Sequence, residues 1–241
     1  MEELKMQRFE RAMTNKRKIK YAAFDDSFPR IAPIKQIVPQ WYKDSPMYTE
    51  GKSPRFLPTT NTTIKACVPF LDTLTTGYYI PLQSDLLVEY IDNQINVTWG
   101  YGNPVNMRET SSAPTLPIPH GCHDTHFTWS LPSIIQLPKN YSAIFTHPLN
   151  RFDLPFVTLS GIVDGDFIMG AGSYPFFIKE NFEGIIPRGT PIAQFIPFKT
   201  EEWISEEDTS LIEKELAESN RSRSKISGWY KHNGWVRKSY K

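Results

Sequence analysis

Within seven positions the stretch "PHGCHDTHFTW" sets out His120, Cys122, His123, Asp124 and His126, so nitrogen, sulfur and oxygen ligand atoms are close together. On a strand, alternation would put His120, Cys122, Asp124 and His126 on one face, a donor set suited to zinc or non-haem iron in a metal-binding β-barrel. A non-haem iron oxygenase wants a His-x-Asp pair and a distant histidine. Here His123 and Asp124 are adjacent and would point to opposite faces of a strand. The run "SSAPTLPIP" just ahead reads as a loop, so the simpler expectation is a polar loop whose histidines hydrogen-bond locally.

A second candidate is the carboxylate in "SGIVDGDF", residues 160 to 167, which is followed by "PRGTPIAQFIPF", residues 187 to 198. Asp164 could activate a water molecule, but splitting a nucleoside triphosphate also needs magnesium and basic groups on the phosphates. The competing expectation is structural. Asp164 then stabilises a tight turn, Gly165 supplies positive φ and Asp166 caps local amides. Gly189, Thr190 and Pro191 likewise make a turn that opens into an inner strand.

The elements that must carry these residues are strands. From residue 60 to 198 the chain runs in short β-branched, aromatic and aliphatic stretches broken by Pro, Gly and Asp, an all-β pattern. Its many prolines favour edges, bulges and strand ends, hence a compact barrel of short strands. Residues 1 to 20 look weakly helical, and the proline-rich 21 to 59 reads as an extended arm. One helix is expected after Ser205, in "EEDTSLIEKELAES", with acids in its first turn. The domain reading is an N-terminal arm over 1–59, a body over 60–200, and a helix with a basic aromatic tail over 201–241.

Length and composition describe a globular chain: 241 residues, 39% hydrophobic and 13% aromatic. No apolar run approaches the roughly 18 residues of a membrane helix, and the N-terminus does not resemble a secretory signal, so neither membrane nor secretion is expected. Two cysteines, Cys67 and Cys122, fit a reducing compartment. Lys and Arg number 7 against 3 Asp and Glu over residues 1–20, 13 against 23 over 21–218, and 7 against 0 over 219–241. Basic ends therefore flank an acidic body. In the final segment Trp229, Tyr230, Trp235, Arg237 and Lys238 interleave aromatic and cationic side chains. Such a tail suits docking on an acidic protein surface, and its charge would also attract nucleic acid.

Residues 141 to 198 resemble the central part of the dUTPase and dCTP deaminase superfamily, which has a β-clip fold. "GIVDGDF" is similar to its Gly-apolar-apolar-Asp-x-x-Tyr segment, with Asp164 at the aspartate and Phe167 at the tyrosine that stacks on deoxyribose. "IPRGTPIAQFIPF" is similar to its Gly-x-x-Ile-Ala-Gln strand entry, matching Gly189, Ile192, Ala193 and Gln194. "YSAIFTHPLNR" falls where the phosphate-binding Pro-Arg-Ser-Gly turn would be, but reads Pro148, Leu149, Asn150, Arg151. More loosely, "TIKACVPFLDTLTTGYYIPL" and "VPQWYK" resemble an uncharacterised family of tailed phages, especially marine T4-like ones.

Two functions follow from the resemblance. As an enzyme, the chain would be a nucleotide pyrophosphatase using magnesium, with Asp164 activating water, Gln194 and Arg151 near the phosphates and Phe167 on the sugar. The departures weigh against this. The Arg-Ser-Gly order is missing, "GWYKHNGWVRKSYK" is unlike a glycine-rich closing arm, and "IMGAGSYPFFI" offers no deaminase glutamate. One lost stabilising donor can cost on the order of 100-fold to 1000-fold in rate, so several lost together leave little activity. The expectation is a non-catalytic phage assembly or virion component. It would be a homo-oligomer, a trimer by resemblance, found in the virion or the host cytoplasm during infection, with its tail on an acidic surface of another virion protein.

Overall fold

The computed structural model describes residues 17–49, 62–92, 94–108, 115–165, 172–223, 230–231 and 234–241. Its strands are β1 (Lys20–Ala23), β2 (Ala32–Pro33), β3 (Tyr78–Pro81), β4 (Leu86–Ile91), β5 (Gln94–Trp99), β6 (Val105–Met107), β7 (Cys122–Ser130), β8 (Ser133–Gln136), β9 (Tyr141–Thr146), β10 (Phe156–Thr158), β11 (Gly161–Asp164), β12 (Ser173–Lys179), β13 (Gly184–Ile186) and β14 (Pro191–Lys199). The α-helices are α1 (Gln40–Asp44), α2 (Val68–Thr75) and α3 (Ser210–Arg223). The fold is all-β with a helix near the C-terminus. No described helix is long and apolar enough to cross a membrane.

The chain divides into two compact units that cut across the expected boundaries: Met1–Ala32 with Tyr79–Thr200, and Pro33–Tyr78 with Glu201–Lys241. The N-terminal segment expected to be an arm is thus shared between them. Lys20–Ala23 forms an antiparallel pair with β8 in the first unit. Residues 33 to 49 belong to the second, where α1 and a 3-10 turn over Ile34–Ile37 replace the extended path.

In the first unit, β10, β12, β7 and β6 lie side by side in one sheet, β11, β9, β14 and β3 follow one another in another, and β13, β4 and β5 form a third. Alternation buries Phe127 and Trp129 on β7, Phe156 on β10 and Phe176 and Ile178 on β12. Trp129 stacks on Phe176 at 3.5 Å between ring centroids and meets Phe156 edge-on at 5.0 Å. On the neighbouring sheet, Phe145 stacks between Tyr174 at 4.8 Å and Phe195 at 5.3 Å. These stacked rings explain how short, proline-broken strands still bury enough apolar surface to hold together. Pro175 sits inside β12, an inner strand. Its carbonyl accepts Leu159 N–H just past the end of β10, and its nitrogen faces the same way, so the missing N–H falls beyond the end of β10 and the ladder to β7 loses no donor.

The second unit is organised around aromatic side chains. Phe70 of α2 stacks on Tyr42 at 5.9 Å and meets Trp41 edge-on at 6.2 Å. Lys65 donates to the carbonyls of Tyr42 at 2.6 Å and Lys43 at 2.7 Å, capping the C-terminal end of α1. The expected C-terminal helix forms, but starts at Ser210 and not directly after Ser205. The Asp208 carboxylate accepts Ser210 N–H at 3.0 Å at this start, and hydrogen bonds from the Ser210 side chain and then its N–H hold the Asp208 pKa below the usual carboxylate range.

Candidate functional site

The histidine stretch does become a strand, but its alternation is broken. Phe177 faces His126 and Lys179 faces Cys122, so four residue steps on β7 match two on β12. This bulge over residues 123 to 125 separates the ligand set. Cys122 and His126 are buried, while the Asp124 side chain remains 69% exposed. Burial pushes the Cys122 thiol up, away from thiolate. The His126 ring lies on Phe177 at 5.8 Å. Among the described residues, no three His, Cys, Asp or Glu side chains converge to hold a metal ion. What the bulge leaves is an open depression of about 470 Å³ lined by His120, Cys122, His123, Asp124 and Glu180.

Asp164 ends β11, where it pairs with Ser142 of β9. Ser142 Oγ donates to Asp164 Oδ1 at 2.8 Å and lies 2.7 Å from Thr200 Oγ1. A hydroxyl has one proton, so Thr200 donates to Ser142 and the chain runs Thr200 to Ser142 to Asp164. The glycine that follows has a different reason from the expected one. Gly165 is not among the positive-φ residues, which include Gly189 at +84°. A side chain at Gly165 would instead fall on the Tyr141 carbonyl oxygen, with Leu137 Cβ at 2.7 Å. Gly189 does serve the expected turn, and Thr190 closes it by donating from N and Oγ1 to the Pro187 carbonyl.

The other candidates gather at the opposite end of β9. Gln194 pairs with Thr146 there, four residues or about 13 Å along the strand from Ser142. Gln194 is fully buried and its Oε1 accepts Leu149 N–H at 2.8 Å, tying the 148–151 turn to β14. Arg151 turns its fork onto Asp153, with Nε at 2.9 Å from Oδ1 and Nη2 at 2.8 Å from Oδ2. Sequence reasoning passed over Asp153, whose carboxylate meets the guanidinium fork in a bidentate pair.

It also passed over the polar centre behind that turn. Thr158 donates its N–H to His147 Nδ1 at 3.3 Å and its hydroxyl to the Ile192 carbonyl at 2.7 Å, while accepting Trp129 Nε1–H at 3.0 Å. With Nδ1 accepting, the His147 proton sits on Nε2 and is donated to the Arg151 carbonyl at 3.0 Å. Burial, aided by the nearby Lys179 and Arg151 charges, lowers the His147 pKa and keeps the ring neutral. A buried tryptophan's need for an acceptor was the available clue.

In the tail, Trp235 donates its indole N–H to Asp72 of α2, at 3.2 and 3.1 Å from the two oxygens, and Lys238 ion-pairs with the same carboxylate. Tyr240 meets Tyr78 edge-on at 5.6 Å, and the Tyr78 hydroxyl donates to the Lys241 carbonyl at 3.3 Å. Tyr230 and Arg237 are exposed. Trp229 and Phe167 lie outside the described residues.

No family model matches the sequence. No curated protein matches it either. Among solved structures, the chain is similar to a mutant dUTPase of Staphylococcus bacteriophage 80alpha, at 9% identity and TM-score 0.36, over 80% of this chain and 97% of that one. A mutant dUTPase from phage phi11 of S. aureus gives 8% identity, TM-score 0.36 and the same coverage. The dCTP deaminase of Agrobacterium tumefaciens gives 10% identity and TM-score 0.35, over 82% of this chain but 54% of that one.

Proposed function

We propose that this protein is a non-catalytic, homo-oligomeric assembly or virion component of a tailed phage, built on a β-clip scaffold of the dUTPase kind. One observation carries the reading: the groups that would grip a nucleotide are engaged within the chain. The Arg151 fork is held by Asp153, Gln194 is buried with its oxygen on Leu149 N–H, and Asp164 stands about 13 Å away at the other end of β9. A phosphate would have to displace a bidentate ion pair before Arg151 could meet it. The tail's cations and aromatic rings are read as the surface that meets an acidic partner.

A panel of nucleoside triphosphates, including dUTP and dCTP with magnesium, tests this. No pyrophosphate release above the level of Asp164→Ala is expected. Turnover abolished by Asp164→Ala would overturn the reading in favour of a divergent nucleotide pyrophosphatase. That alternative draws on the exposure of Asp164 at a strand end, where a carboxylate can reach water.

A further inference from the structure

We propose that residues 201–216 form an acidic docking arm whose occupant is the basic C-terminal segment of a second copy of this chain. The inference rests on the homo-oligomeric reading above and names the contact through which copies meet. After β14 every residue from 201 to 217 is exposed. Trp203 is 86% and Ile204 94% exposed, and Leu211, Ile212 and Leu216 extend the apolar surface along α3. Large side chains left this open within one segment mark an interaction surface. The same stretch carries Glu201, Glu202, Glu206, Glu207, Asp208, Glu213 and Glu215 against Lys214 alone.

The complement lies in residues 230–241, which hold Lys231, Arg237, Lys238 and Lys241 and no acid. Asp72 fixes this segment through Trp235 and Lys238, while Tyr230, Lys231, Val236, Arg237 and Lys241 stay exposed beside it. An apolar, acidic arm and an apolar, basic patch match in both respects, and Trp203 is a ring on which a guanidinium can rest. The pairing is between copies. Arm and tail belong to the same compact unit, yet both are open there. Beyond Leu216 the helix continues for seven residues, about 10 Å, before the tail segment. An arm-to-tail contact closes as a two-fold pair or as a ring.

Sedimentation velocity over a concentration series tests this with the full chain. Because Trp203 and Ile204 are so exposed, the double substitution Trp203→Ala with Ile204→Ala leaves folding intact and is expected to weaken self-association about tenfold or more. Reversing the arm, Glu206→Lys with Glu207→Lys, or the tail, Lys231→Glu with Arg237→Glu, should each weaken it similarly. Both reversals in one chain should restore it, and raising salt from about 0.1 to about 0.5 M should weaken the native association. A native protein monomeric throughout, single reversals without effect, or a combined reversal that fails to recover would overturn the proposal. An oligonucleotide that binds the tail yet leaves self-association unchanged would do the same. Nucleotide turnover is read separately, so failure of this contact and failure of the non-catalytic reading are distinguishable.

Discussion

His147 shows how far one buried proton can couple a fold to pH. Its Nδ1 accepts the Thr158 N–H, so a second proton on the ring would set donor against donor and put a charge beside Lys179 and Arg151. The folded pKa is lowered below the unfolded value of about 6.5, so below that pH the unfolded chain binds more protons. The stabilisation is complete above about pH 6.5 and is lost as pH falls through the folded value. Urea midpoints between pH 7.5 and 5 should therefore drop more steeply for the native protein than for His147→Gln. Gly165 makes a separate prediction. Gly165→Ala places a methyl group against the Tyr141 carbonyl and Leu137, and should cost roughly 2 kcal/mol or more in urea unfolding. If positive φ were the reason for this glycine, Asn would be tolerated there. Gly165→Asn should be at least as damaging as Ala.

At the scale of elements, β7 and the C-terminal segment matter most. The β7 bulge turns a ligand-like sequence into two buried side chains and an exposed carboxylate, which no alternation rule foresees. The tail, expected to dock on an acidic partner surface, makes contacts within its own chain through Trp235 and Lys238. Asp72 accepts from Trp235 and pairs with Lys238, so Asp72→Ala removes both anchors at once. The expected result is red-shifted tryptophan emission and faster tryptic cleavage after Arg237 and Lys238, with the global unfolding midpoint nearly unchanged. Trp235→Phe should abolish the emission change and so identify its source.

For the whole molecule, the division into units is discontinuous in sequence. The 33–78 segment joins 201–241, while the strands from β4 to β14 and the stacked rings of Trp129 with Phe176 and of Phe145 with Phe195 lie within Tyr79–Thr200. A chain ending at Thr200 should accordingly keep the near-UV circular dichroism of those rings and lose the signal of Trp235. Loss of both signals would mean that the body depends on the C-terminal segment for its packing.

The sequence by itself determined the strand-rich body, the helix after residue 205, the Gly-Thr-Pro turn and the charge blocks, because all of these arise from local propensity and composition. Alternation, proline punctuation and a positive-φ glycine act over a few residues and can be read in order. Only the tertiary structure decided that Arg151 faces Asp153, that Gln194 is buried against Leu149, that Asp164 stands apart from both, and that, among the described residues, the histidines do not converge into a metal site. Those outcomes depend on register, on one bulge and on which polar groups burial forces into partnership. They are set by residues distant in sequence, and a linear reading has no access to them.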